Sequence, residues 1–143
     1  MTDNLALAIQ IAAQAHEGQL DKGGLPFIGH PLRVMAKLAL RGFTGHILEA
    51  AILHDVLEDT AVTEDDLDFA GIGFDTIALV KLLTRPEDKT YAEYIQRISD
   101  SESNAIDIKL ADLEDNMDPA RDTGRDDLLK RYEKAVHVLS QRD

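Results

Sequence analysis

The chain has 143 residues, 44% hydrophobic and 29% charged, which suits a single folded domain over residues 1–143. Fifteen Lys and Arg face 27 Asp and Glu, a net charge of −12 that argues against a broad nucleic-acid surface and means an anionic ligand needs local cations or a metal. The absence of cysteine excludes disulfides, thiolate metal sites and cysteine nucleophiles.

The first 14 residues lack the basic-then-apolar pattern of a signal peptide, and no apolar run approaches the roughly 20 residues that span a bilayer. A cytoplasmic location is the default expectation. The N-terminal segment reads as a helix over about residues 3–17, with Leu5, Ile9, Ala12 and Ala13 on its apolar face. Residues 18–29 hold four glycines and a proline and read as a loop. Pro31 then opens a second helix, whose expected buried face is Leu32, Met35, Ala36 and Ala39. Thr44 is a suitable cap for a third helix running to about Asp59, apolar nearly all round and therefore central. Thr63-Glu64-Asp65-Asp66 has the look of an acidic helix start, and a helix over about 74–83 ends before Pro86. Thr90 and Glu93 have capping-box spacing for the next helix. Helices over about 101–117, stopped near Pro119, and about 126–141 complete an all-α chain of six to eight helices.

The third helix carries an anomaly. Its apolar run is broken by His54, Asp55, Glu58 and Asp59, and four-residue spacing sets His54 over Glu58 and Asp55 over Asp59. Unpaired buried charges are costly, so these acids either sit at a solvated helix end or face cations or a metal. Acids near a helix C-terminus oppose the macrodipole, which favours the second reading. His30, between the glycine-rich loop and a helix, and Asp112, with Asn116 one turn on, could join them. His30, His54, Asp55 and Asp112 together offer two nitrogens and two oxygens, a mixture suited to manganese, iron or zinc. His16 reads as a structural histidine, His46 and His137 as peripheral, and Arg33 as a partner for a site acid or a phosphate.

Four blocks in order carry a resemblance: Ala15-His16-Glu17-Gly18-Gln19 with Lys22, Gly24 and Pro26-Phe27-Ile28; His30-Pro31-Leu32-Arg33-Val34; Ala50 to Thr60 around His54-Asp55-Val56-Leu57-Glu58-Asp59; and Lys109-Leu110-Ala111-Asp112 followed by Asn116. With them the chain resembles the HD-domain phosphohydrolases, in particular the hydrolase domain of the RelA/SpoT family and its small single-domain relatives. The resemblance implies an HD-type helical bundle and one divalent metal, commonly manganese, at His30, His54, Asp55 and Asp112. It implies that Glu58 and Asp59 handle the attacking water and its proton, and that Lys22, Asn116 and Tyr132 face a nucleotide. The implied reaction removes pyrophosphate from the 3′ position of guanosine tetra- or pentaphosphate, without the synthetase half of the larger family proteins. The same chemistry on an adenosine alarmone, a dinucleotide phosphate or a nucleotide monophosphate is the enzymatic alternative, and a silent nucleotide-binding module the non-enzymatic one. The chain departs from the family pattern at Asp21, where a basic residue is usual, at Phe27, where tyrosine is common, and at Asp118, often basic. Oligomeric state is left open by the sequence.

Overall fold

The computed structural model describes residues 4–121 and 124–141. Among these the chain is all-α: α1 (Leu5–Ala15), α2 (Gly29–Leu40), α3 (His46–Leu53), α4 (Val56–Asp59), α5 (Glu64–Ala70), α6 (Phe74–Leu82), α7 (Tyr91–Asp100), α8 (Ala105–Asn116) and α9 (Asp126–Leu139), with a 3-10 turn at Pro119–Arg121. The expected start of the first helix at Asp3 lies outside the described residues. An isolated bridge between Leu20 and Pro26 ties the loop before α2.

Two capping boxes form as their spacing requires. Thr63 and Asp66 exchange side-chain and backbone hydrogen bonds at the start of α5, and Thr90 and Glu93 do so at α7. Thr44 does not cap α3. Gly45 occupies that position with φ of 59°, a left-handed backbone that glycine adopts without the penalty a β-carbon brings.

The centre is α3, whose residues Leu48 to Leu53 are all buried. It packs against α1, α2 and α6, while α8 lies along α2 and α9 covers α7 and α8. Its all-round apolar sequence follows from this position.

Two expected faces are corrected. In α1 the buried residues are Ala8 and Ala12; Ala13 is exposed. In α2, Leu32, Ala36 and Ala39 are exposed, and the core stripe is His30, Val34 and Leu38, with Pro31 beside it. The helix begins at Gly29 rather than Pro31, so His30 is already helical, and the i, i+4, i+8 row His30, Val34, Leu38 faces inward because α3 and α8 pack against it. The stripe that fills the core thereby delivers His30 to the interior.

The third expected helix is not continuous. It ends at Leu53, turns at His54-Asp55 and restarts as α4 from Val56, with Asp55 as its N-terminal flanking residue. This break, at the polar pair that interrupts the apolar run, organises everything that follows.

Candidate metal centre and cleft

Four side chains from three parts of the chain converge where α2, the α3–α4 break and α8 meet. His30 Nε2 lies 2.7 Å from Asp112 Oδ1 and 3.7 Å from Asp55 Oδ2. His54 Nε2 lies 3.1 Å from Asp55 Oδ2 and 3.2 Å from Asp112 Oδ1. The His30 and His54 rings meet edge to face, 5.3 Å between centroids. His30, His54 and Asp112 are buried and Asp55 is half-buried.

The far nitrogens fix what the near ones can do. His54 Nδ1 is 2.6 Å from the Ala51 carbonyl oxygen, which only accepts, so Nδ1 carries a proton. His30 Nδ1 is 2.7 Å from Asp115 Oδ2, a carboxylate in the same role. In the neutral imidazoles both Nε2 atoms then hold lone pairs, aimed at carboxylate oxygens. Such an arrangement is repulsive unless a cation or protons are shared. Two imidazole nitrogens and two carboxylate oxygens around one point form a donor set that fits a divalent transition metal.

The electrostatics of the cluster agree. Burial alone would lower His54, but the carboxylates of Asp55 and Asp112 outweigh it and lift the imidazole well above its ordinary value. Burial opposes ionised Asp112, yet Lys109 and then His54 hold it well below the usual carboxylate range. Lys109 Nζ sits 2.7 Å from Asp112 Oδ2 and 5.2 Å from the centre of the Tyr94 ring.

Glu58 and Asp59 follow on α4, and oxygens of Asp55, Glu58 and Asp59 lie within 4.8 Å of one another. The helix break falls between His54 and Glu58, which the sequence reading stacks one turn apart. Glu58 Oε1 instead accepts the Arg85 backbone N–H at 2.7 Å. Asp59 remains one turn from Asp55, its amide donating to the Asp55 carbonyl at 3.0 Å. Burial, then the negative charges of Asp55 and Glu58, push the Asp59 carboxyl up to about 6.

These groups open onto a cleft of about 900 Å³. Lys22, Asn116 and Tyr132, expected at the ligand, all line it. Asn116 also reaches Asp112 Oδ1 at 3.4 Å. All three tyrosines of the chain, Tyr91, Tyr94 and Tyr132, stand on its walls. Arg131 sits over Tyr91, its guanidinium carbon 3.7 Å from the ring centre. Among the described residues, the cleft cations Lys22, Arg85 and Arg131 form no ion pair with a carboxylate, in a chain whose acids outnumber its bases.

Three residues take places that the sequence only half disclosed. Asp21 is drawn into the loop: Oδ1 accepts from the Gly23 and Leu25 amides at 2.9 Å each, and Oδ2 faces Arg121 at 3.6 Å. Arg33 answers an acid rather than the open cleft, donating to Asp115 at 2.9 Å. Asp115 itself passes unnoticed in the sequence, although its spacing of three from Asp112 on one helix marks a shared face. Tyr91, Tyr94 and Arg85 also give no motif signal. His16 is buried with Nδ1 2.9 Å from Gln19 Oε1, while His46 and His137 are exposed and away from the site.

No protein-family model matches the chain. It is 38% identical over 117 residues to the guanosine-3′,5′-bis(diphosphate) 3′-pyrophosphohydrolase of Vibrio cholerae, covering 75% of this chain and 16% of that protein. It is 35% identical over 122 residues to the bifunctional (p)ppGpp synthase/hydrolase SpoT of Escherichia coli, covering 79% of this chain and 17% of that protein. The chain thus spans about one sixth of the length of these curated relatives. A solved structure, described as a metazoan ortholog of SpoT that hydrolyzes ppGpp and plays a role in starvation responses, superposes with a TM-score of 0.83 at 28% identity, covering 99% of this chain and 88% of that one.

Proposed function

From the premise that this chain is an HD-domain, RelA/SpoT hydrolase-like protein, we propose that it hydrolyses guanosine 3′,5′-bis(diphosphate) and its pentaphosphate to GDP or GTP and pyrophosphate, with manganese as the metal. The observation that carries this reading is the convergence of His30, His54, Asp55 and Asp112 on one point, with His30, Asp55 and Asp112 lining a cleft and Glu58 and Asp59 beside them.

His30 Nε2, His54 Nε2, Asp55 and Asp112 would hold the metal. A divalent ion there supplies a lowered pKa for the attacking water and polarisation of a phosphoryl oxygen. Glu58 and Asp59 orient that water and take its proton; the raised Asp59 carboxyl has a pKa near the range a general base needs. The water oxygen bonds to the phosphorus carried on the ribose 3′ oxygen. The bond from that phosphorus to the 3′ oxygen breaks, the 3′ oxygen takes a proton, and pyrophosphate departs. Lys22, Arg85 and Arg131, free of carboxylate partners among the described residues, meet the phosphates, and Asn116 and Tyr132 line the nucleoside wall. These local cations answer the repulsion that a net charge of −12 sets up at longer range.

Asp21 supports a second substrate choice. A carboxylate on the cleft wall, where the family usually carries a basic residue, favours a different base or fewer phosphates. One assay decides between them: manganese-loaded protein with ppGpp, an adenosine alarmone, a dinucleotide phosphate and a nucleotide monophosphate. Rapid pyrophosphate release from ppGpp alone supports the proposal. Turnover of another member with ppGpp untouched replaces the substrate, and tight ppGpp binding without product makes the chain a binding module.

A further inference from the structure

The far side of His30 is as organised as the near side. On α8, Asp112 and Asp115 are three residues apart and share a face. Asp112 meets Nε2 of His30, and Asp115 meets Nδ1 of the same ring at 2.7 Å. Asp115 is 1% exposed, and a buried carboxylate with a single neutral donor would be costly. It has more. Arg33 Nε donates to Oδ1 at 2.9 Å, and Arg121 Nη1 donates to Oδ2 at 2.6 Å. Both oxygens are occupied.

We propose that Asp115 is a positioning residue for the metal centre: its carboxylate, clamped between Arg33 and Arg121, fixes the tautomer and orientation of His30 so that Nε2 points to the metal. The inference rests on the metal-site reading given above. An imidazole without a partner at Nδ1 can flip, rotate or carry its proton on either nitrogen. An anionic acceptor at Nδ1 removes all three freedoms and makes Nε2 a stronger donor to a metal. The two arginines hold that acceptor in place. Arg121 also contacts Asn116 Oδ1 at 3.2 Å and lies on the cleft wall, so the clamp joins the back of the metal centre to the surface that meets the ligand.

The test reads metal binding without substrate. Wild type, Asp115→Ala, Asp115→Asn and the control Glu114→Ala are prepared metal-free. Glu114 belongs to an exposed pair with Arg41 and does not reach His30. Mn2+ affinity is measured by calorimetry, the Co2+ absorption spectrum is recorded, and metal-free melting is followed by circular dichroism. Asp115→Ala is expected to weaken Mn2+ binding about 10- to 100-fold and to change the Co2+ ligand-field bands. Asp115→Asn, which keeps size and one acceptor oxygen, loses less, and Glu114→Ala binds as wild type. An Asp115→Ala protein with wild-type affinity and spectrum overturns the proposal, including when its metal-free melting temperature falls, since that is a structural role alone. If the alanine variant does not fold, Asp115→Asn decides, and full affinity with an unchanged spectrum overturns it. Wild type that binds neither Mn2+ nor Co2+ refutes the metal-site reading itself, and the positioning role with it.

Discussion

The imidazole of His54 donates to the carbonyl of Ala51, three residues earlier, at 2.6 Å. The helix ends at Leu53, and the last carbonyls of a helix lack their usual amide partners. The break at His54-Asp55 therefore creates the acceptor that orients the histidine. One irregularity leaves the Ala51 oxygen only a long 3.5 Å bond from the His54 amide beside the imidazole, and sets His54 Nε2 and Asp55 near Asp112.

Asp55 is expected to be indispensable for metal retention. Asp55→Ala should leave helix content intact while metal content falls well below one ion per chain and hydrolysis disappears. Elemental analysis after dialysis, with circular dichroism on the same sample, checks this; an alanine variant that keeps a full equivalent of metal contradicts the ligand role.

Glu58 is expected to separate binding from turnover. Glu58→Gln keeps an oxygen for the Arg85 amide, so the local fold should hold. Metal content should stay at wild-type level while kcat falls about 10²- to 10⁴-fold, the usual worth of a positioned acid or base. Undiminished hydrolysis by the metal-loaded variant would remove Glu58 from the mechanism.

Asp59 should set the acidic side of the pH profile. Its carboxyl is pushed up to about 6 in the metal-free protein, and a cation on Asp55 removes part of that push, so kcat/KM should decline on the acid side between the ordinary carboxylate range and about 6. The same shift acts on stability with the opposite sense. A carboxyl raised in the folded state favours the fold when protonated; that contribution is complete below the ordinary value of 3.8 and is lost as pH rises through about 6. Metal-free Asp59→Asn should therefore lose this decline between pH 4 and 7, measured by urea unfolding at each pH. A variant whose stability falls as steeply as wild type argues against the shift.

Lys109 is expected to matter most when metal is absent. It is the partner of Asp112 inside the fold, with side-chain exposures of 11% and 5%. Lys109→Met leaves a buried carboxylate without its cation, a loss of about 3–5 kcal/mol in comparable pairs. Denaturant titration of the metal-free variant reads this, and saturating Mn2+ should restore part of it. An unchanged midpoint would show that the two imidazoles suffice to hold Asp112.

Arg131 should act on substrate affinity. It sits over Tyr91 on the cleft wall without a carboxylate partner among the described residues. Arg131→Ala is expected to raise KM roughly 10- to 100-fold with kcat changed far less, since a hydrogen bond to a charged group is worth about 1.5–3 kcal/mol. Steady-state kinetics on ppGpp with the variant and with Arg125→Ala, whose guanidinium already pairs with Asp127, tests the contrast.

Much of this was legible in the sequence because the relevant signals are local. The acidic helix start at Thr63 and the capping box at Thr90 depend on residues within one turn, and both form, the first as a capping box with Asp66. The polar interruption at His54-Asp55 stood out against an apolar run, and with His30 and Asp112 it pointed to one constellation. What the sequence could not convey was direction. A continuous helical period put His54 above Glu58, whereas the chain breaks between Leu53 and Val56. Likewise the inward face of α2 is set by α3 and α8, which pack on it from distant parts of the chain and bury His30, Val34 and Leu38 while Leu32 stays exposed. Asp115 had no motif to mark it, because its partners Arg33 and Arg121 come from an earlier helix and a later turn.

His30 shares an inward row with Val34 and Leu38, and its counterpart Asp112 stands 82 residues further along on α8. No stretch of the chain shorter than the span from α2 to α8 holds a complete set of donors. Secondary structure can return to a refolding chain locally and early, but the donor set exists only after α8 has docked along α2, a contact with a high loop-closure cost. Recovered metal uptake during refolding therefore clocks the docking of these two helices, and it should lag behind recovered helicity.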